Sequence, residues 1–62
     1  MRVELSSGGV PVKTFCGTSD SIKERLADYM AAVYGIYLSR NMLQSHSLKW
    51  IVSYCQAMME IY

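Results

Sequence analysis

The chain has 62 residues, 52% of them apolar and 18% charged, with six Lys and Arg against five Asp and Glu for a net charge of +1. That balance excludes a disordered tail, which would be charge-rich and poor in aromatics, and it carries no basic run of the kind that marks non-specific nucleic-acid binding. A chain this short buries only roughly 60% of the surface its unfolded form exposes. Its core is therefore marginal, self-association is expected, and an enzyme is not.

Residues 1–9 hold no apolar run of signal-peptide type. Ser6-Ser7-Gly8-Gly9 reads as a turn or hinge. The segment is expected to be a flexible arm with Arg2 as its cation, or a short hairpin strand in which Val3-Glu4-Leu5 pairs back across the turn. Residues 10–62 are expected to form the folded domain. Within it, Val10-Pro11-Val12-Lys13-Thr14-Phe15-Cys16 reads as a strand, β-branched and aromatic, with Pro11 suiting an edge or a strand start. On period two, Val10, Val12, Thr14 and Cys16 share one face; Pro11, Lys13 and Phe15 share the other.

Thr18-Ser19-Asp20-Ser21 is rich in helix-capping residues, and Ser21-Ile22-Lys23-Glu24 fits a capping box. Ile22, Leu26, Tyr29/Met30, Val33 and Ile36/Tyr37 then recur at helical spacing, which predicts a helix from about residue 20 to 34 or 38, with Gly35 at or near its end. In a second polar cluster, Ser39-Arg40-Asn41, either Ser39 or Asn41 can cap a second helix. Its inner side carries Leu43, Ser47, Leu48, Ile51/Val52, Cys55 and Met58/Met59; Trp50, Tyr54 and Ile61 lie on another side. Ser45-His46-Ser47 lowers the helical propensity, so a break can fall there instead. After Asp28 the only charges are Arg40, Lys49 and Glu60. A helix pair so poor in charge has more apolar surface than it can bury against itself, and dimerisation is the simplest remedy.

Cys16 and Cys55 read as reduced thiols, not as a disulfide. With His46 the only other soft ligand, one chain assembles no zinc set, and neither metal nor cofactor is expected. The uncharged runs at 29–39 and 50–59 are too short to span a bilayer, so no membrane partner and a cytoplasmic location are expected.

Strand, cap, helix, cap, helix is the order of the ribbon-helix-helix regulators, and particular residues extend the likeness. Val12-Lys13-Thr14-Phe15-Cys16 followed by Asp20-Ser21-Ile22-Lys23-Glu24-Arg25-Leu26 resembles that family's strand and first helix. Gly35-Ile36, Ser39-Arg40-Asn41-Met42-Leu43 and Leu48-Lys49-Trp50-Ile51 are similar to its inter-helix turn and second helix. The likeness covers about residues 10 to 55, with Tyr37-Leu38 standing as an insertion. It implies a mainly α (α+β) fold, one N-terminal strand followed by two helices, intertwined as a homodimer. It further implies a sequence-specific, double-stranded-DNA-binding transcriptional repressor whose paired strands enter the major groove. Carried over by position, Lys13 and Phe15 would contact bases, Lys13 at guanine and Phe15 at a thymine methyl. Ser39, Arg40 and Asn41 would hold a phosphate on the second helix's N-terminus, and Arg2 would reach DNA from the arm.

Each of these residues has a plainer role beside the functional one. Lys13 is a solvated edge-strand charge. Phe15 is a core side chain or is covered by a neighbouring segment; burying it would turn Lys13 inward with it, a conflict that favours Phe15 facing outward or a hairpin partner covering it. Ser39-Arg40-Asn41 is a helix cap, His46 a partly exposed helix residue, and Met30, Met42, Met58 and Met59 are core fillers. Trp50, Tyr54, Ile61 and Tyr62 form a candidate surface patch. From that patch comes a second reading, a small non-enzymatic protein-binding module or inhibitor using an apolar helical surface. A helix-turn-helix placed on Ala31, Gly35 and Ile36 sets polar Asn41 where an apolar residue should pack. A membrane-surface helix pair lacks the Lys/Arg-rich face it would need.

Overall fold

In the computed structural model, which describes residues 1–61, the chain opens with an antiparallel hairpin: β1 (Arg2–Ser7) and β2 (Val10–Cys16). The turn is two residues long. Gly8 and Gly9 both take positive φ, 58° and 81°, the backbone that a tight hairpin turn with right-handed strand twist requires. Val3 pairs with Phe15, Leu5 with Lys13 and Ser6 with Pro11, so Val12 stands unpaired in a bulge next to the proline that lacks an N–H. Residues 1–9 thus take the hairpin alternative and not the flexible arm.

The hairpin corrects the expected facing of β2. Phe15 is 3% exposed and lies in the core with fully buried Leu5, while Val10 and Val12 on the opposite set are 61% and 45% exposed. The reason is cross-strand: burying Phe15 together with Val3 and Leu5, which β1 brings to the same face, hides more apolar area than Val10, Val12 and Cys16 would. Lys13 shares that inner face yet remains exposed. Its side chain runs outward, with Nζ 5.9 Å from the Phe15 ring centroid. The expected conflict between burying Phe15 and keeping Lys13 wet is resolved by the length of the lysine.

α1 (Ser19–Tyr34) begins within a residue of the expected start, with Thr18 and not Ser21 as its cap, the Thr18 hydroxyl accepting from the Ser21 N–H at 3.2 Å. The helix buries Ile22, Leu26 and Met30 and ends at Gly35, φ 67°, whose N–H reaches the Ala31 carbonyl at 3.1 Å. Glycine takes this left-handed cap without the steric cost a Cβ would add. Leu38 in the following connection turns back into the core.

The expected second helix is two. α2 (Arg40–Ser45) is capped by Ser39, whose hydroxyl accepts from the Met42 N–H, and stops at His46. α3 (Leu48–Ile61) restarts with the Ser47 hydroxyl accepting from the Trp50 N–H at 3.2 Å. The break sits where the Ser-His-Ser triplet lowered the helical propensity. Lys23 of α1 secures it: its ammonium donates to the carbonyls of Leu43 and His46 at 2.9 and 2.7 Å, the orphan acceptors at the end of α2.

The result is a small α+β fold, a two-stranded sheet followed by helices. Ile22, Leu26 and Met30 of α1 meet Leu48, Ile51, Cys55 and Met59 of α3, and Leu5 and Phe15 close the core from the hairpin. Gln56 of α3 locks β1 in place. Its amide oxygen accepts from the Ser6 N–H at 3.0 Å and its amide nitrogen donates to the Ser6 carbonyl at 2.5 Å, as a neighbouring strand would. At the other side of the hairpin, Arg25 of α1 donates to the Cys16 carbonyl. No helix among the described residues is long and apolar enough to cross a membrane.

Candidate functional site

Three surfaces carry the residues that the sequence singles out: the hairpin, the start of α2 and the outer face of α3. On the hairpin, Arg2 is exposed and pairs with Glu4 of its own strand at 3.4 Å, which cancels its charge locally. Alternation places Arg2 and Lys13 on opposite faces of the sheet, so the two cations do not converge. Phe15, expected to reach outward, packs edge-on against Tyr29 with ring centroids 5.9 Å apart. Of the two residues assigned to base contact, the hairpin leaves Lys13 exposed and takes Phe15 into the core.

Ser39, Arg40 and Asn41 are all exposed at the start of α2. The Ser39 hydroxyl is already engaged in capping. Arg40 borders an open groove of about 750 Å³ between α1 and α2, where Asp20, Glu24 and Asp28 project from α1. Lys23 also borders this groove, but its ammonium is held by the two α2-end carbonyls. The surroundings of the expected phosphate clamp therefore hold three carboxylates, which oppose an anion.

The outer face of α3 is organised differently. The His46 imidazole stacks on the Trp50 indole at 3.8 Å and 13°, and Trp50 stacks on the Tyr54 ring at 5.5 Å and 13°. The spacing of four residues between each pair produces this ladder, because i and i+4 lie one above the other on a helix, and His46 at the break continues the row. Trp50 is 42% exposed and Ile61 79%; Lys49, Ser53, Ala57 and Glu60 lie exposed on the same helix. Trp50, Tyr54 and Ile61 of the expected patch are thus on one element. Tyr62, grouped with them in the sequence, lies outside the described residues. His46 is partly exposed as expected but lies between α2 and α3, not within a helix, and the 46, 50, 54 spacing is the sequence signal for its place in the stack. For the bracing role of Gln56 the sequence carries no local signal.

Among the described residues, a buried thiol and a half-buried tyrosine have shifted pKa values. Burial pushes the Cys55 thiol up to about 11 from 9.0. Tyr29 is raised first by desolvation and then by the neighbouring Tyr34. Among the described residues, no group of three His, Cys, Asp or Glu side chains could hold a metal ion, and no buried side-chain nitrogen or oxygen lacks a hydrogen-bond partner. No protein-family model, curated protein or solved structure matches the chain, so the reading of its surfaces rests on their own geometry.

Proposed function

We propose that the chain is a small non-enzymatic protein-binding module that presents the outer face of α3 to a protein partner. The observation that carries this reading is the His46–Trp50–Tyr54 stack. Large aromatic side chains supply most of the binding energy where proteins meet, and rings already held in a stack lose little freedom on binding. The chain also keeps Ile61 out in water on this helix although its core is small. A photo-crosslinking amino acid placed at Trp50 should give one dominant protein adduct in expressing cells, and the same group at Glu24 on α1 should not. Equal, diffuse labelling from both positions would refute the reading.

A second reading, a homodimeric sequence-specific DNA-binding regulator of ribbon-helix-helix type, has one observation in its favour. The hairpin's outer face is uncovered, and Arg2 on that face and Lys13 at the open strand are both exposed. Selection of the purified protein against random duplexes at near-physiological salt tests it. Enrichment of a repeated or palindromic half-site that Lys13→Ala weakens would support the DNA reading; absence of retention even at low salt would end it.

A further inference from the structure

The geometry points to a second copy of this chain as the occupant of the α3 face, the two α3 helices packing antiparallel about a twofold axis near residue 55. This deepens the protein-binding reading and rests on it.

Lys49 and Glu60 are exposed on α3, and neither makes an ion pair among the described residues. Eleven residues separate them, close to three whole turns, so they lie on one side of the helix about 16 Å apart. That is too far for the two to pair within one chain. Trp50 and Ile61 repeat the same separation on the other margin of the face, and Ser53 and Ala57 lie between the margins.

An antiparallel copy makes the pattern self-complementary. With residue 55 at the centre, Lys49 of each chain meets Glu60 of the other, Trp50 meets Ile61, and Ser53 meets Ala57. A twofold axis perpendicular to both helices keeps the charged margin opposite the charged margin and the apolar margin opposite the apolar one. The two apolar anchors and the two ion pairs therefore close at once. The small side chains at the centre let the helices approach to an ordinary packing distance, about 8–10 Å between axes. A random partner surface would not require the two margins to share one centre.

One 14-residue helix face is small for an interface, so the dimer is expected to form reversibly in the micromolar range. Sedimentation equilibrium of the full chain at low salt, across roughly 5 to 500 µM, reads it directly. The native chain should pass from monomer to dimer. Lys49→Glu or Glu60→Lys alone sets like charges together at two places and should weaken the dimer about tenfold. Mixing these two variants makes every cross-pair attractive again and should restore association as a heterodimer, as should the double variant Lys49→Glu/Glu60→Lys on its own. Circular dichroism of each variant establishes that the fold is kept.

A native chain that stays monomeric throughout the range overturns the proposal. So does a dimer that the single charge reversals leave intact, or one that the mixed pair fails to rescue. These failures are separable from failure of the broader reading. A monomeric chain that still gives one dominant heterologous adduct from position 50 keeps the protein-binding module and discards the self-pairing.

Discussion

The hairpin and α3 each turn one face to the core and one to water, but they distribute their large side chains in opposite ways. The hairpin commits Phe15 and Leu5 to the interior and leaves Val10 and Val12, smaller groups, outside. α3 fills its inner side with Leu48, Ile51, Cys55 and Met59 and still has Trp50 and Ile61 to leave in water. A two-stranded hairpin is barely stable alone and must spend its bulk on docking. A 14-residue helix has apolar groups beyond what its docking face holds. The difference leaves the larger exposed apolar side chains, an indole among them, on α3 and the smaller valines on the ribbon.

Shaving the aromatic from each element tests that contrast most severely. Phe15→Ala is expected to cost about 3–5 kcal/mol, enough to unfold much of a chain this small. Phe15→Leu, which keeps most of the volume, should cost about 1–2 kcal/mol and remain measurable by urea unfolding. Trp50→Ala should cost about 1 kcal/mol or less, because it removes a half-open ring from a surface stack. If the two alanine variants prove equally stable, the division between an inward hairpin and an outward helix is lost, and Phe15 returns as a candidate for contact with DNA.

The attachment of the hairpin to α3 is the next target. Gln56→Leu removes both hydrogen bonds to the Ser6 backbone and leaves that strand edge without its side-chain partner. The expected loss is about 1–2 kcal/mol. Amide exchange at Ser6 should accelerate by more than exchange in the middle of α1. Uniform acceleration along the chain would mean that the clip contributes to global stability alone and does not hold the hairpin in particular.

How much of this was legible beforehand depended on how local each cause is. The α1 stripe of Ile22, Leu26 and Met30, the Gly35 end and the Ser39 cap follow from spacing and capping chemistry within a few residues. The division of α3 into an inner row and an outer Trp50–Tyr54–Ile61 side was also readable, because helical periodicity places residues without knowledge of the neighbour. The facing of β2 was not. Alternation gives two faces but does not say which is inside, and that choice was made by Val3 and Leu5 across the turn. The second-helix break was visible as weak propensity in Ser45-His46-Ser47. What secures it, the reach of Lys23 from α1, is a contact over twenty residues that no local pattern encodes. The candidate site follows the same rule: its aromatic members are readable from helical spacing, whereas the open side that carries Lys49 and Glu60 depends on α3 beginning at Leu48, which spacing alone does not fix.

The smallest expected effect separates the two cysteines, one from each region. Cys16 at the end of β2 is exposed and Cys55 on the inner side of α3 is fully buried. A thiol reagent should therefore label Cys16 at once in the folded chain and Cys55 only as the chain unfolds. The same burial ties stability to alkaline pH. Below about pH 9 the Cys55 thiol is neutral in both the folded and the unfolded chain, and its contribution is fully present. Between 9.0, its unperturbed value, and about 11, its value in the fold, the unfolded chain gives up the proton while the folded chain keeps it. The unfolded state then binds fewer protons, so stability falls as pH rises through that window. Tyr29, also raised, acts in the same direction at the upper end. In Cys55→Ala the decline over this window should become shallower than in the native chain, as read by urea unfolding across that pH range. A slope in Cys55→Ala identical to that of the native chain would assign the alkaline loss to Tyr29 and remove the buried thiol from the account of what α3's inner face contributes.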